Sequence, residues 1–184
     1  MVSFLLGLLW RTMCLASSSS SVYLDRAQST ARWISWEARC GNASAGCTFP
    51  MNTTEGCCGH EYSLYYGPPG VALFYIQLAR ATDVPGEHGE YAAMALGAGD
   101  RMVATLENAL AVFGNNTAMY YGSSGLAFAF RELAGFADSN AAASRFLAAA
   151  RRVEDNVMRR AVAVTPNGGL TWDNNTDGEF PCNR

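Results

Sequence analysis

The chain has 184 residues, 49% of them hydrophobic and 16% charged, with a net charge of −3. That is enough for one domain with a real core and short for two, and with no basic face a nucleic-acid partner is not expected. All 13 basic residues are arginine, which excludes a P-loop lysine, a Schiff-base lysine and a lysine general base.

Residues 1–21 open with the apolar run MVSFLLGLLW and close on a serine tract after Cys14-Leu15-Ala16-Ser17. This reads as a secretory signal peptide, much too short to span a bilayer; the alternative is an ordinary buried N-terminal helix. Asn-x-Ser/Thr acceptors at Asn42, Asn52, Asn115 and Asn174 fall in Gly/Asn/Thr-rich stretches that read as loops, which fits a glycosylated, secreted chain. The cysteines point the same way. Cys40, Cys47, Cys57, Cys58 and Cys182 remain beyond the leader, and such a cluster in a secreted chain reads first as a disulfide-stapled loop. Which cysteines pair is left open. Cys57-Cys58-Gly59-His60 offers zinc-type ligands, but at no standard spacing.

Residues 23–39 carry Leu24, Ala27, Ala31 and Ile34 at steps of three and four, a helix with one apolar stripe widened by Trp33. Residues 40–62 break the periodicity and form a cysteine-rich loop. Two similar units follow, 63–117 and 118–172. Tyr65-Tyr66-Gly67-x-x-Gly70 and Tyr120-Tyr121-Gly122-x-x-Gly125 lie 55 residues apart, and Ala72/Ala127, Leu78/Leu133, Ala79/Ala134 and Asp83/Asp138 keep that register without a gap. Each unit starts with a helix apolar nearly all round, as in Val71, Leu73, Phe74, Ile76 and Leu78. Each continues with an amphipathic helix. The first covers 90–113, with Met94, Val103, Leu106 and Leu110 as its apolar points and Gly97 and Gly99 as weak spots. The second covers 140–162, with Phe146, Leu147, Val153, Val157 and Ala161 on one face and Arg151, Arg152, Glu154 and Asp155 on the other. A repeated apolar helix paired with an amphipathic one predicts an all-α fold, a solenoid or closed α/α toroid. A third unit would begin in residues 173–184.

Gly67, Gly70, Gly122 and Gly125 sit where positive φ and close backbone approach are useful, and free N–H groups at the helix starts would face the centre of the ring. The alternative is that these glycines only let adjacent helices pack closely. A carbohydrate-active α/α toroid would need a carboxylate pair, and Asp83, Glu90, Asp173 and Asp177 are more simply helix caps and loop acids.

Residues 63–74 with 78–82, and again 119–136, resemble the first and second Gly-x-x-Gly repeats of the lanthionine synthetase C-like family. Gly169 to Asp177 (GLTWDNNTD) resembles the Trp-x-x-x-x-Asp stretch before the family's third repeat, and Ala31-Arg32-Trp33-Ile34 its opening helix. The resemblance implies an α/α toroid with a central site. There, zinc held by two cysteines and a histidine activates a thiol for addition to dehydroalanine or dehydrobutyrine in a peptide; related members add glutathione. It implies a peptide or glutathione-like thiol as partner. The family's ligands belong to later repeats, and Cys57-Cys58-Gly59-His60 lies upstream of the first, so no catalytic or metal residue is carried over. No cofactor is expected in this chain, zinc being expected only of a full-length family member, and this partial form is expected to be inactive. A secreted non-catalytic binding module is the alternative. Apolar helices left open at the end of the array are expected to self-associate. The leader, acceptors and cysteines favour the secretory pathway, whereas the family is largely cytosolic or membrane-peripheral.

Overall fold

The apolar stripes pair off as two helical units placed side by side. The computed structural model describes residues 22–40, 46–49, 62–164 and 169–172. The leader, Asn42, Asn52, Asn174, Cys57, Cys58, Cys182, His60, Asp173 and Asp177 lie outside the described residues.

Helix α1 (22–37) turns Leu24, Ala27, Ala31 and Ile34 to the core, as their spacing predicts. Trp33 does not widen that stripe. At about 100° per residue it lies roughly 200° from Ala31, and it is exposed, as is Trp36 at 86%. A two-strand hairpin follows, β1 (Arg39–Cys40) against β2 (Cys47–Thr48), antiparallel, with Cys40 opposite Cys47 and a disulfide joining them.

The first unit is α2 (Pro68–Ala81), α3 (Pro85–Ala104) and α4 (Leu106–Phe113); the second is α5 (Ser123–Phe136) and α6 (Asn140–Arg159). Helix α2 packs on α3 and α5 on α6, and α2 lies along α5. Among the described residues the fold is predominantly helical, as expected. Proline at the start of α2 and α3 costs nothing, because the first N–H groups of a helix have no partner within it. Ser139 caps α6 by accepting from the Ala142 N–H.

The helix expected over 90–113 starts five residues earlier and breaks at Thr105. The Thr105 hydroxyl donates to the Arg101 carbonyl at 2.9 Å, the local bond by which threonine competes with a helix. The helix expected to reach Val162 ends at Arg159. Beyond it β3 (Ala161–Val164) pairs antiparallel with β4 (Gly169–Trp172). Alternating valines, the turn-forming stretch Thr165-Pro166-Asn167-Gly168 and a tryptophan favour a hairpin there over another helical turn. Trp172 anchors it, its indole N–H donating to the Val157 carbonyl at 2.9 Å.

The core is one cluster centred on Tyr75, Ile76, Leu126, Phe130, Leu133, Phe146 and Val153. Each such side chain withdrawn from water contributes roughly 1.5–3 kcal/mol. Gly99, a weak spot by propensity, is where α3 lies tight against side chains of the second unit. A Cβ there would stand 2.8 Å from both Leu133 and Phe146 side chains. Gly97 serves similarly, with the Cys47 sulfur over it, and Gly46 at φ 66° rests on the backbone of Gly97 and Arg101. The disulfide hairpin is thus docked on α3, and only glycine fits on both sides of the contact.

Candidate binding face at the heads of the repeated helices

The repeated Gly-x-x-Gly glycines do not adopt positive φ. Gly67 and Gly122 are extended, at φ −112° and −134°. What they provide is room. A Cβ on Gly70 would collide with the Leu64 carbonyl oxygen, and one on Gly125 with the Met119 carbonyl oxygen. Leu64 and Met119 are the same position of the two units. The duplicated motif is therefore one structural device used twice, a loop carbonyl laid against the first turn of a helix.

The expected free N–H groups are largely consumed. Pro68 and Pro69 carry none, and Gly70 and Val71 both donate to the Gly67 carbonyl. At α5 the Ser123 N–H donates to the Asn116 carbonyl at 3.1 Å. The two loops are set by different side chains. Buried Ser63 accepts from the Tyr66 N–H at 3.1 Å. Asn116 accepts from the Ala118 N–H and donates to the Tyr121 carbonyl, a local Asx turn over which Gly122 fits without a Cβ.

This local folding brings four tyrosines to one end of the helical pair. The Tyr65 N–H donates to the Tyr120 carbonyl at 3.2 Å, locking loop to loop. Ring centroids lie 4.7 Å apart for Tyr65–Tyr66, 5.6 Å for Tyr65–Tyr121 and 6.1 Å for Tyr66–Tyr121. Tyr65 and Tyr120 are 63% and 62% exposed, so the aromatic rim is presented to solvent. Tyrosine offers an apolar face with a polar tip, a combination suited to planar, amide-bearing ligands. The Tyr-Tyr-Gly doublet marks these residues in the sequence; treating it as helix-start punctuation is what hid them as a site.

Elsewhere the candidate residues stay apart. Asn115 is exposed in the loop before α5, accessible as a glycosylation acceptor. Asp83 and Glu90 are exposed at the end of α2 and in the second turn of α3, with no carboxylate pair formed between them. His88 pairs with the Ala79 carbonyl through Nδ1 at 2.8 Å. Among the described residues, no three His, Cys, Asp or Glu side chains gather as metal ligands, and no helix is long and apolar enough to cross a membrane.

Charge is organised between helices. Arg145 of α6 pairs with Asp100 of α3, Arg152 with Glu107, Arg131 with Glu154 and Arg80 with Glu132. Burial pushes the Asp100 carboxyl above its ordinary value, with the Arg145 guanidinium pulling the other way. The bidentate bond from Arg131 holds the Glu154 carboxyl below its ordinary range. Burial raises Tyr75; its hydroxyl donates to the Ala31 carbonyl and lies 2.9 Å from the Ser35 hydroxyl. Compared with models of known protein families, with curated proteins and with solved structures, the chain finds no match.

Proposed function

We propose that the chain is a lanthionine synthetase C-like helical-repeat module that recognises a dehydrated peptide at its tyrosine rim, and that bond-making by the family's zinc chemistry is not carried by the described residues. The observation that supports this is the equivalence of Gly70 over Leu64 and Gly125 over Met119, which makes the two Gly-x-x-Gly heads a structural repeat and gathers the tyrosines beside them. A dehydroalanine or dehydrobutyrine residue is flat, and its amide and alkene plane can lie on a tyrosine face while the hydroxyls bond neighbouring carbonyls.

Isothermal titration of the 184-residue protein with a dehydroalanine peptide and its serine parent tests the reading. Preferential binding of the dehydrated peptide is expected, lost in Tyr65→Ala/Tyr121→Ala. Equal or no binding of both peptides overturns recognition. Thioether formed from glutathione and that peptide in the presence of zinc overturns the non-catalytic assignment.

A second reading, a secreted binding module, is favoured by the Cys40–Cys47 disulfide together with exposed Asn115. Secretion of a product whose mass falls on deglycosylation supports it; purely cytosolic, reduced protein contradicts it.

A further inference from the structure

The 55-residue register matches each residue of the first unit with one of the second, and the first unit shows how its open side is covered. Leu64 has its Cβ 3.0 Å from where a Cβ on Gly125 would stand. Asp100 pairs with Arg145, and Glu107 takes two bonds from Arg152. Leu73 and Val103 pack against the core. The counterparts of Leu64, Asp100, Leu73 and Val103 one register on are Met119, Asp155, Phe128 and Met158, all exposed, Phe128 by 43% and Met158 by 54%; the register lapses at Glu107, whose counterpart Val162 lies in β3. The second unit therefore repeats the chemistry of an inter-unit face with nothing described against it.

The opposite side of the array is closed. Gln28 of α1 donates to Glu87 at 2.7 Å, and the disulfide hairpin rests on Gly97, the counterpart of Arg152. A head-to-tail neighbour would have to displace both.

We propose that the α5–α6 face is the interface of an isologous dimer of this chain. The interface continues, by one register, the one already formed between the two units. With the other end capped, copies meet open face to open face rather than in a growing row. The face is also complementary to itself. Asp155, Met158 and Arg159 lie together in the last turn of α6, three and four residues apart from Asp155. Antiparallel pairing about a twofold level with Val157, on the side of α6 away from the core, sets Asp155 of one copy opposite Arg159 of the other, twice, with Met158 beside them.

Sedimentation velocity of the full chain over about a hundredfold range of concentration tests this. A monomer–dimer equilibrium is expected. Met158→Arg should raise its dissociation constant at least about tenfold with the far-UV circular dichroism unchanged. Asp155→Arg and Arg159→Asp should each weaken the dimer, and the double exchange should restore it. A monomer throughout, an open-ended polymer, or a dimer indifferent to Met158→Arg and to both charge reversals would overturn the proposal.

Discussion

Tyr65 and Tyr120 hold the same position in two successive units, and the amide of one donates to the carbonyl of the other across 3.2 Å. The register visible in the sequence is thus also a physical contact. Because this bond uses only backbone, Tyr65→Ala should retain it. With the ring mostly in water, that variant should lose no more than about 0.5 kcal/mol of stability. Urea unfolding checks this, and a much larger loss would mean the rings brace the loops.

Two glycines of α5 should respond oppositely to the same change. Gly125→Ala places a methyl on the Met119 carbonyl, so the loop must move and stability should fall by roughly 1–3 kcal/mol. Gly135→Ala meets nothing within 4 Å and should gain up to about 1 kcal/mol from helix propensity. Thermal melts of the pair decide it; equal effects would refute the packing role of Gly125.

Helix α1 is tied to the first unit by a buried hydroxyl. Tyr75→Phe leaves the Ala31 carbonyl and Ser35 without that partner and should cost about 1 kcal/mol, with amide exchange quickening in 22–37. Unchanged exchange there would show that apolar contacts alone hold α1.

The carboxylates predict opposite slopes of stability with pH. Asp100 binds its proton more tightly folded than unfolded, so its contribution declines as pH rises from the ordinary carboxylate value through the raised one. Glu154 is lowered by Arg131; its contribution is present above the ordinary value and is lost as pH falls through the lowered one. Melting temperature against pH should therefore fall less steeply above the ordinary carboxylate range in Asp100→Asn and less steeply towards acid in Glu154→Gln. For the latter pair, largely in water, the amplitude should be small.

Removing the Cys40–Cys47 bridge, which spans a separation of 7, should cost about 2.5 kcal/mol by the loss of loop closure. Cys40→Ser/Cys47→Ser in guanidinium titration measures it. No change would mean that Gly46 and Gly97 hold the hairpin unaided.

What could be read from residues alone was whatever local periodicity fixes. The stripe of α1 follows from side chains that repeat at three and four, and the 55-residue spacing from the recurring Tyr-Tyr-Gly-x-x-Gly motif. Counting apolar residues puts Trp33 on the stripe, but its angle around the helix sends it outward. The β3–β4 hairpin carried its own signal in alternating valines before Pro166-Asn167-Gly168, overridden by the helical run preceding it. The roles of Gly97 and Gly99 depend on what crosses α3, a fact of tertiary approach that no local pattern contains. The tyrosine rim lies between these cases. Its residues were visible as a repeated doublet, but their convergence needed the side-by-side placement of α2 and α5.

The asymmetry between the two ends of the array sets where the molecule opens. The α2–α3 layer is braced on one flank by α1 and the cystine hairpin and on the other by its twin, whereas among the described residues α5–α6 leans on that twin and on the short β3–β4 hairpin. In a nearest-neighbour chain of units, the one with fewer partners melts first. Hydrogen exchange in the monomer would then run as a tide from the α6 side inward, reaching the amides around Ala98 last.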